Sequence, residues 1–133
     1  MRVTARFLFL AIAVAAGAAV CFRFPDLDIP LLGIGNHRYF LFHSALAPLA
    51  LWAALRPARR ERGRVVLAVV TAAFAFGVGL HLFTDVFQTK NVVFPFVGTL
   101  VRGTSLDDRL WEGANAAACG VVGWVSLKGA KAR

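Results

Sequence analysis

The sequence predicts an all-α membrane protein of about four transmembrane helices with a short interfacial or re-entrant segment. Three observations predict it: an apolar content of 59% with a mean hydropathy of +0.68, four separated apolar runs, and basic residues gathered beside those runs. Ordinary soluble domains are only roughly 45–50% apolar. The 133 residues suit one domain, with no polar stretch long enough for a second.

The net charge of +8 raises nucleic acid as a partner, but the location of the charges argues against it. Ten of the fifteen basic residues form three clusters: Arg2 and Arg6; Arg56, Arg59, Arg60, Arg62 and Arg64; Lys128, Lys131 and Arg133. Each cluster flanks an apolar stretch, so it reads as a topology signal and membrane lipids replace nucleic acid as the expected partner. The positive-inside rule then makes both termini and the 56–64 loop cytoplasmic.

The first run, residues 7–22, has a basic start, an apolar core and small residues around positions 15–19. That form fits a signal peptide as well as a retained helix. Retention makes the four runs alternate across the membrane and places all three basic clusters on one side. Asp26 and Asp28 follow, between Pro25 and Pro30, which predicts an extended or turn segment where carboxylates can converge.

The second and third runs, residues 39–55 and 65–83, read as spans, with His43 at the outer mouth of the second helix and His81 at the outer end of the third. Residues 92–101 are apolar, but Pro95 and Gly98 interrupt them and they are too short to cross, which predicts a re-entrant or interfacial segment. The last run, residues 114–127, is short against the roughly 20 residues a span requires. Ser105-Leu106-Asp107-Asp108 reads as a capping box that starts this helix near Ser105 and puts Trp111 and Trp124 near its two interfaces. Cys21 and Cys119 lack metal-type spacing; they are either a disulfide between the first and last helices or two small apolar residues.

On this topology the outer side is close to neutral, with Arg23, Arg38, Lys90, Arg102 and Arg109 facing Asp26, Asp28, Asp85, Asp107, Asp108 and Glu112. The chain has only three histidines, His37, His43 and His81, and all fall on that side. His81 and Asp85 are four apart, so on a helix they share one face. His37 and His43 are six apart and point to one site only if His37 lies in the loop and His43 on the helix. The candidate ligands are therefore Asp26, Asp28, His37, His43, His81 and Asp85, a nitrogen and carboxylate set suited to a divalent metal such as Zn, Mn or Fe. A solvated external loop and interfacial histidines would carry the same residues without a metal.

The blocks Pro25-Asp26-Leu27-Asp28, His37-Arg38 with His43-Ser44, and Gly77-x-Gly79-Leu80-His81-Leu82-Phe83-Thr84-Asp85 resemble, in order, those of the YdjM-like family of bacterial inner-membrane proteins. Val92-Val93-Phe94-Pro95 is similar to the apolar segment that follows them in that family. The resemblance covers roughly residues 23–97. It implies a metal-dependent hydrolase related to the zinc phospholipase C and P1 nuclease group. Three features depart from the family pattern: no histidine precedes His37, Ile29 follows Asp28 where a histidine is usual, and the His37–His43 block is one residue longer and lacks its glycine. Such changes imply either fewer metals or a scaffold that has lost catalysis.

Together these readings give a membrane-embedded hydrolase of phosphoesters, lipid-linked ones above all, at the periplasmic face of a bacterial inner membrane. Asp26, Asp28, His81 and Asp85 would be its catalytic residues, with Zn or Mn lowering the pKa of a water. Arg38 would pair with substrate phosphate or anchor the interface. Asp108, Glu112 and Asn115 form a polar stripe, read first as solvated helix turns and second as a lining of the site. Two alternatives remain: a non-catalytic membrane subunit or scaffold, and a haem-binding protein with His43 and His81 as axial ligands.

Overall fold

A computed structural model describes residues 2–33, 38–55, 61–88, 92 and 105–131. Every element there is helical: α1 (Arg2–Cys21), a 3-10 turn (Pro25–Leu27), α2 (Asp28–Leu32), α3 (Leu46–Leu55), α4 (Glu61–Asp85) and α5 (Ser105–Lys131). Two stretches, Phe7–Leu32 and Gly63–Asp85, are long and apolar enough to cross a membrane, each with a mean hydropathy of 2.2. The all-helical expectation holds, whereas four full spans are not reached. α3 has ten residues, about 15 Å at 1.5 Å per residue, half the roughly 30 Å hydrocarbon core. α5 has the length, but Glu112, Asn115, Ser126 and its glycines make it less apolar.

The expected span over residues 39–55 is therefore corrected to a turn followed by a short helix. Proline lacks an N–H and its ring clashes with the carbonyl four residues back, so it is tolerated only in a helix's first turn. Pro48 thus sits as the third residue of α3, which begins at Leu46. Residues 38–45 instead make turns that turn Arg38, His43 and Ser44 inward. The segment between Pro25 and Pro30, expected to be extended or a turn, is a 3-10 turn running into a short helix. Pro25 opens the 3-10 turn and Pro30 falls in the first turn of α2, positions where the missing N–H has no intrahelical role. The segment 92–101 and the Arg56–Arg60 linker lie outside the described residues, apart from the buried Val92.

α4 is the centre of the bundle, packed on α5 along one side and on α1 along the other, with fewer contacts to α3. Small residues permit that approach. A Cβ on Gly77 would lie 2.6 Å from the Ala18 carbonyl oxygen of α1, and one on Gly79 would lie 2.8 Å from Cys119 Cβ of α5. Cys21 packs at Gly77 and Cys119 at Gly79, so α4 separates them and both thiols are free. The disulfide alternative is thereby excluded, leaving the small-apolar reading of both cysteines. Ala45, Val78, Leu82 and Cys119 form the buried apolar core, with Phe24 and Phe74 against it.

Candidate metal centre

Beside that core, at the C-terminal end of α4, lies a cluster of buried ionisable groups. Asp28, Arg38, His43, His81, Asp85 and Glu112 are each at most 6% exposed. The turn after α1 supplies Asp26 and Asp28, the turn before α3 supplies Arg38 and His43, α4 supplies His81 and Asp85, and α5 supplies Glu112. His43 therefore projects from a turn and not from a helix mouth.

Asp26, His43 and His81 each offer a ligand atom, all within 4.8 Å of one another. His81 Nε2 lies 3.7 Å from Asp26 Oδ1 and 3.4 Å from Asp85 Oδ2, and His43 Nε2 lies 3.5 Å from the same Asp85 oxygen. These separations exceed the 2.7–3.2 Å usual for N–H···O hydrogen bonds. Two donors 2.0–2.2 Å from one zinc ion lie about 3.3–3.6 Å apart at a tetrahedral angle; the two Asp85 separations fall in that range and the Asp26 one lies just above it. The two imidazoles meet edge-on, with centroids 5.5 Å apart. Both turn Nε2 toward the Asp85 carboxylate.

Surrounding contacts orient these donors. Asp28 Oδ2 lies 3.4 Å from His43 Nδ1 and accepts a 2.9 Å hydrogen bond from the Tyr39 backbone N–H. Asp28 thus stands on the His43 ring nitrogen opposite the one that faces Asp85. Asp85 Oδ1 is held by Gln88 Nε2 at 2.9 Å and Arg38 Nη2 at 3.1 Å, which leaves Oδ2 toward the histidines. Arg38 Nη1 also lies 3.6 Å from Glu112 Oε1. Its guanidinium is spent on two internal carboxylates, so the structure does not present it to an incoming phosphate. Arg38 adopts φ 66°, the left-handed region disfavoured for a side chain with a Cβ. The paired guanidinium holds the chain there.

The final helix closes the site. Trp111 Nε1 donates to the His43 carbonyl at 2.9 Å, Asn115 Oδ1 accepts the Ala45 N–H at 2.9 Å, and Asn115 Nδ2 donates to the Trp111 carbonyl at 2.8 Å. The polar stripe read first as solvated turns is, at Glu112 and Asn115, an internal lining, while the side chain of Asp108 lies outside the described residues. Trp111 serves the His43 turn through its indole N–H, whereas Trp124 remains 57% exposed. His37 lies outside the described residues. Trp111 was not singled out for the centre by the sequence, and Glu112 only in the second reading of the polar stripe. Their four-to-three spacing with Asn115 on one helix face was the available signal.

Charge balance adds a second constraint. Among the described residues, three buried carboxylates, Asp28, Asp85 and Glu112, face one buried guanidinium and the two buried imidazoles. Uncompensated buried charge costs several kcal/mol, and a bound cation would offset it. Comparison with protein-family models, curated proteins and solved structures gives no match.

Proposed function

We propose that this is a membrane-embedded, metal-dependent hydrolase of phosphoesters, lipid-linked ones above all, acting at the membrane face where α4 ends. The carrying observation is the gathering of Asp26, His43 and His81, one ligand atom of each within 4.8 Å of the others, beside Asp85 Oδ2. Asp26, His43 and His81 would hold the ion with Asp85 Oδ2 as a fourth donor, and a fifth position would remain for water or a phosphoryl oxygen. Zinc suits this mixed nitrogen and carboxylate set best, with manganese next. When bound, such an ion polarises a phosphoryl oxygen and lowers the pKa of water at the site.

The protein's own residues do the rest. Asp28 fixes the orientation of His43, and Arg38 fixes Asp85 while balancing Glu112. Asp26, with 43% of its side chain exposed, is the donor that an incoming substrate meets and the carboxylate placed to accept a proton from attacking water. Leu27 and Leu31 beside it, and Phe83 and Phe87 near Asp85, are exposed apolar side chains that favour a substrate with a lipid tail. The ordered blocks that resemble the YdjM-like family support the same reading. So does the positive-inside assignment, under which the centre would face away from the cytoplasm.

The test is metal analysis of purified protein, with phosphate release from lipid-linked and soluble phosphoesters measured with and without added Zn or Mn. Stoichiometric zinc or manganese and metal-dependent release, both lost in His43→Ala and His81→Ala, are expected. Equal release by wild type and variants would sink the assignment. The Arg38, Asp85 and Glu112 pairing favours a second reading, a scaffold tied together by its buried ions, and metal binding without turnover of either substrate class would select it. A reporter fused to the C-terminus should be active only in the cytoplasm; periplasmic activity would reverse the assigned face.

A further inference from the structure

A second site lies toward the opposite end of α4. A cleft of about 390 Å³ opens between α3, α4 and α5, with Trp52, Leu55, Leu67 and Ala68 among its walls and Arg64 and Lys128 as its charged groups. Among the described residues, none that lines it is acidic. Its two hydroxyls are quiet, since Thr71 Oγ1 donates to the Leu67 carbonyl and Ser126 Oγ to the Val122 carbonyl within their own helices. The cleft therefore offers an apolar trough and two cations. Lys128 Nζ also lies 5.2 Å from the Trp124 ring centroid, which keeps the ammonium beside an exposed aromatic surface.

We propose that this cleft binds one anionic phospholipid, its phosphate at Arg64 and Lys128 and an acyl chain along Leu67 and Ala68. The charge of the cleft selects an anion, and its apolar wall selects one carrying a hydrocarbon tail. Arg64 and Asp85 are 21 residues apart on one helix, about 32 Å at 1.5 Å per residue. If α4 spans the bilayer, the cleft and the metal centre thus face opposite leaflets across a roughly 30 Å core. Headgroups of the leaflet at Arg64 then lie at the level of the two cations. The inference shares with the proposed function only the membrane placement of α4, and metal content distinguishes failure of one from failure of the other.

The experiment is native mass spectrometry of the full-length protein in mild detergent, titrated with phosphatidylglycerol, phosphatidylcholine or inorganic phosphate. Saturable binding of one phosphatidylglycerol is expected, with phosphatidylcholine weaker and inorganic phosphate a poor competitor. The double variant Arg64→Gln with Lys128→Gln should bind about thirtyfold more weakly, from ~1 kcal/mol per basic residue at an anionic surface and 1.4 kcal/mol per tenfold. Ala68→Phe, which fills the trough without touching a charge, should also weaken binding. Metal content should be unchanged in all variants. Equal binding of the two lipids, wild-type affinity in the double or the Ala68→Phe variant, or full competition by inorganic phosphate would overturn the assignment.

Discussion

The two ends of α4 carry charge in opposite ways. At the Asp85 end, carboxylates, imidazoles and a guanidinium are buried against one another, contributed by four separate parts of the chain. At the Arg64 end, two cations line an open cleft with no carboxylate among the described residues that line it. In the sequence both ends are simply polar residues bordering an apolar run. What separates them is whether the chain folds back across the helix end, as the turns at Asp28 and His43 do at one end. Ionic groups closed over in this way act as a set, whereas exposed ones act one by one.

The sharpest way to break this contrast is to remove a histidine. His81→Ala should abolish bound zinc or manganese by elemental analysis while the protein remains inserted, and adding Asp85→Ala should change little, because ligands of one ion are not additive. Retained metal in His81→Ala would dissolve the distinction between the two ends. Next in size is Arg38→Ala, which strands Asp85 and Glu112 as buried charges. Loss of one partner from a buried ion pair costs about 3–5 kcal/mol, read as a lowered unfolding midpoint, and an unchanged midpoint would contradict the buried network.

Asp28→Asn should have a smaller effect. A carboxylate behind a metal-binding imidazole typically contributes about 10–100-fold in metal affinity, so competition with a chelator should show a loss in that range and not abolition. Abolition would make Asp28 a ligand; no effect would remove it from the centre. The smallest effect is expected at the other end. Arg64→Gln and Lys128→Gln should leave metal affinity and the unfolding midpoint close to wild type, since Lys128 is exposed, Arg64 is half-buried in an open cleft, and charges reached by solvent contribute little to stability. A large change in either would show that the two ends are coupled through α4.

Much of the architecture was legible because apolar runs and helix signals coincide. The third run, residues 65–83, lies within α4, and the capping box at Ser105 marks the first residue of α5. The run over residues 39–55 misled, since hydropathy averages over Pro48 and the turn before it, where a buried arginine and histidine override helix continuation. In the centre, His43, His81, Asp26 and Asp85 were readable from the scarcity of histidine and the four-residue spacing on α4. Arg38 reads as facing substrate or anchoring the interface, and Glu112 as solvated before it reads as a lining of the site, because their partners lie far away along the chain. Long-range pairing between unlike charges leaves no period in a sequence.

The bonds from Trp111 and Asn115 to the His43 turn also set an order of events during biosynthesis. A nascent chain that has released residues 1–88 already carries Asp26, His43, His81 and Asp85, but neither the indole N–H nor the amide that fixes their geometry. Glu112, the second carboxylate holding Arg38, is likewise still to be made. The centre is therefore completed only once α5 has been made, and a chain truncated before α5 would have the coordinating side chains without the frame that brings them together.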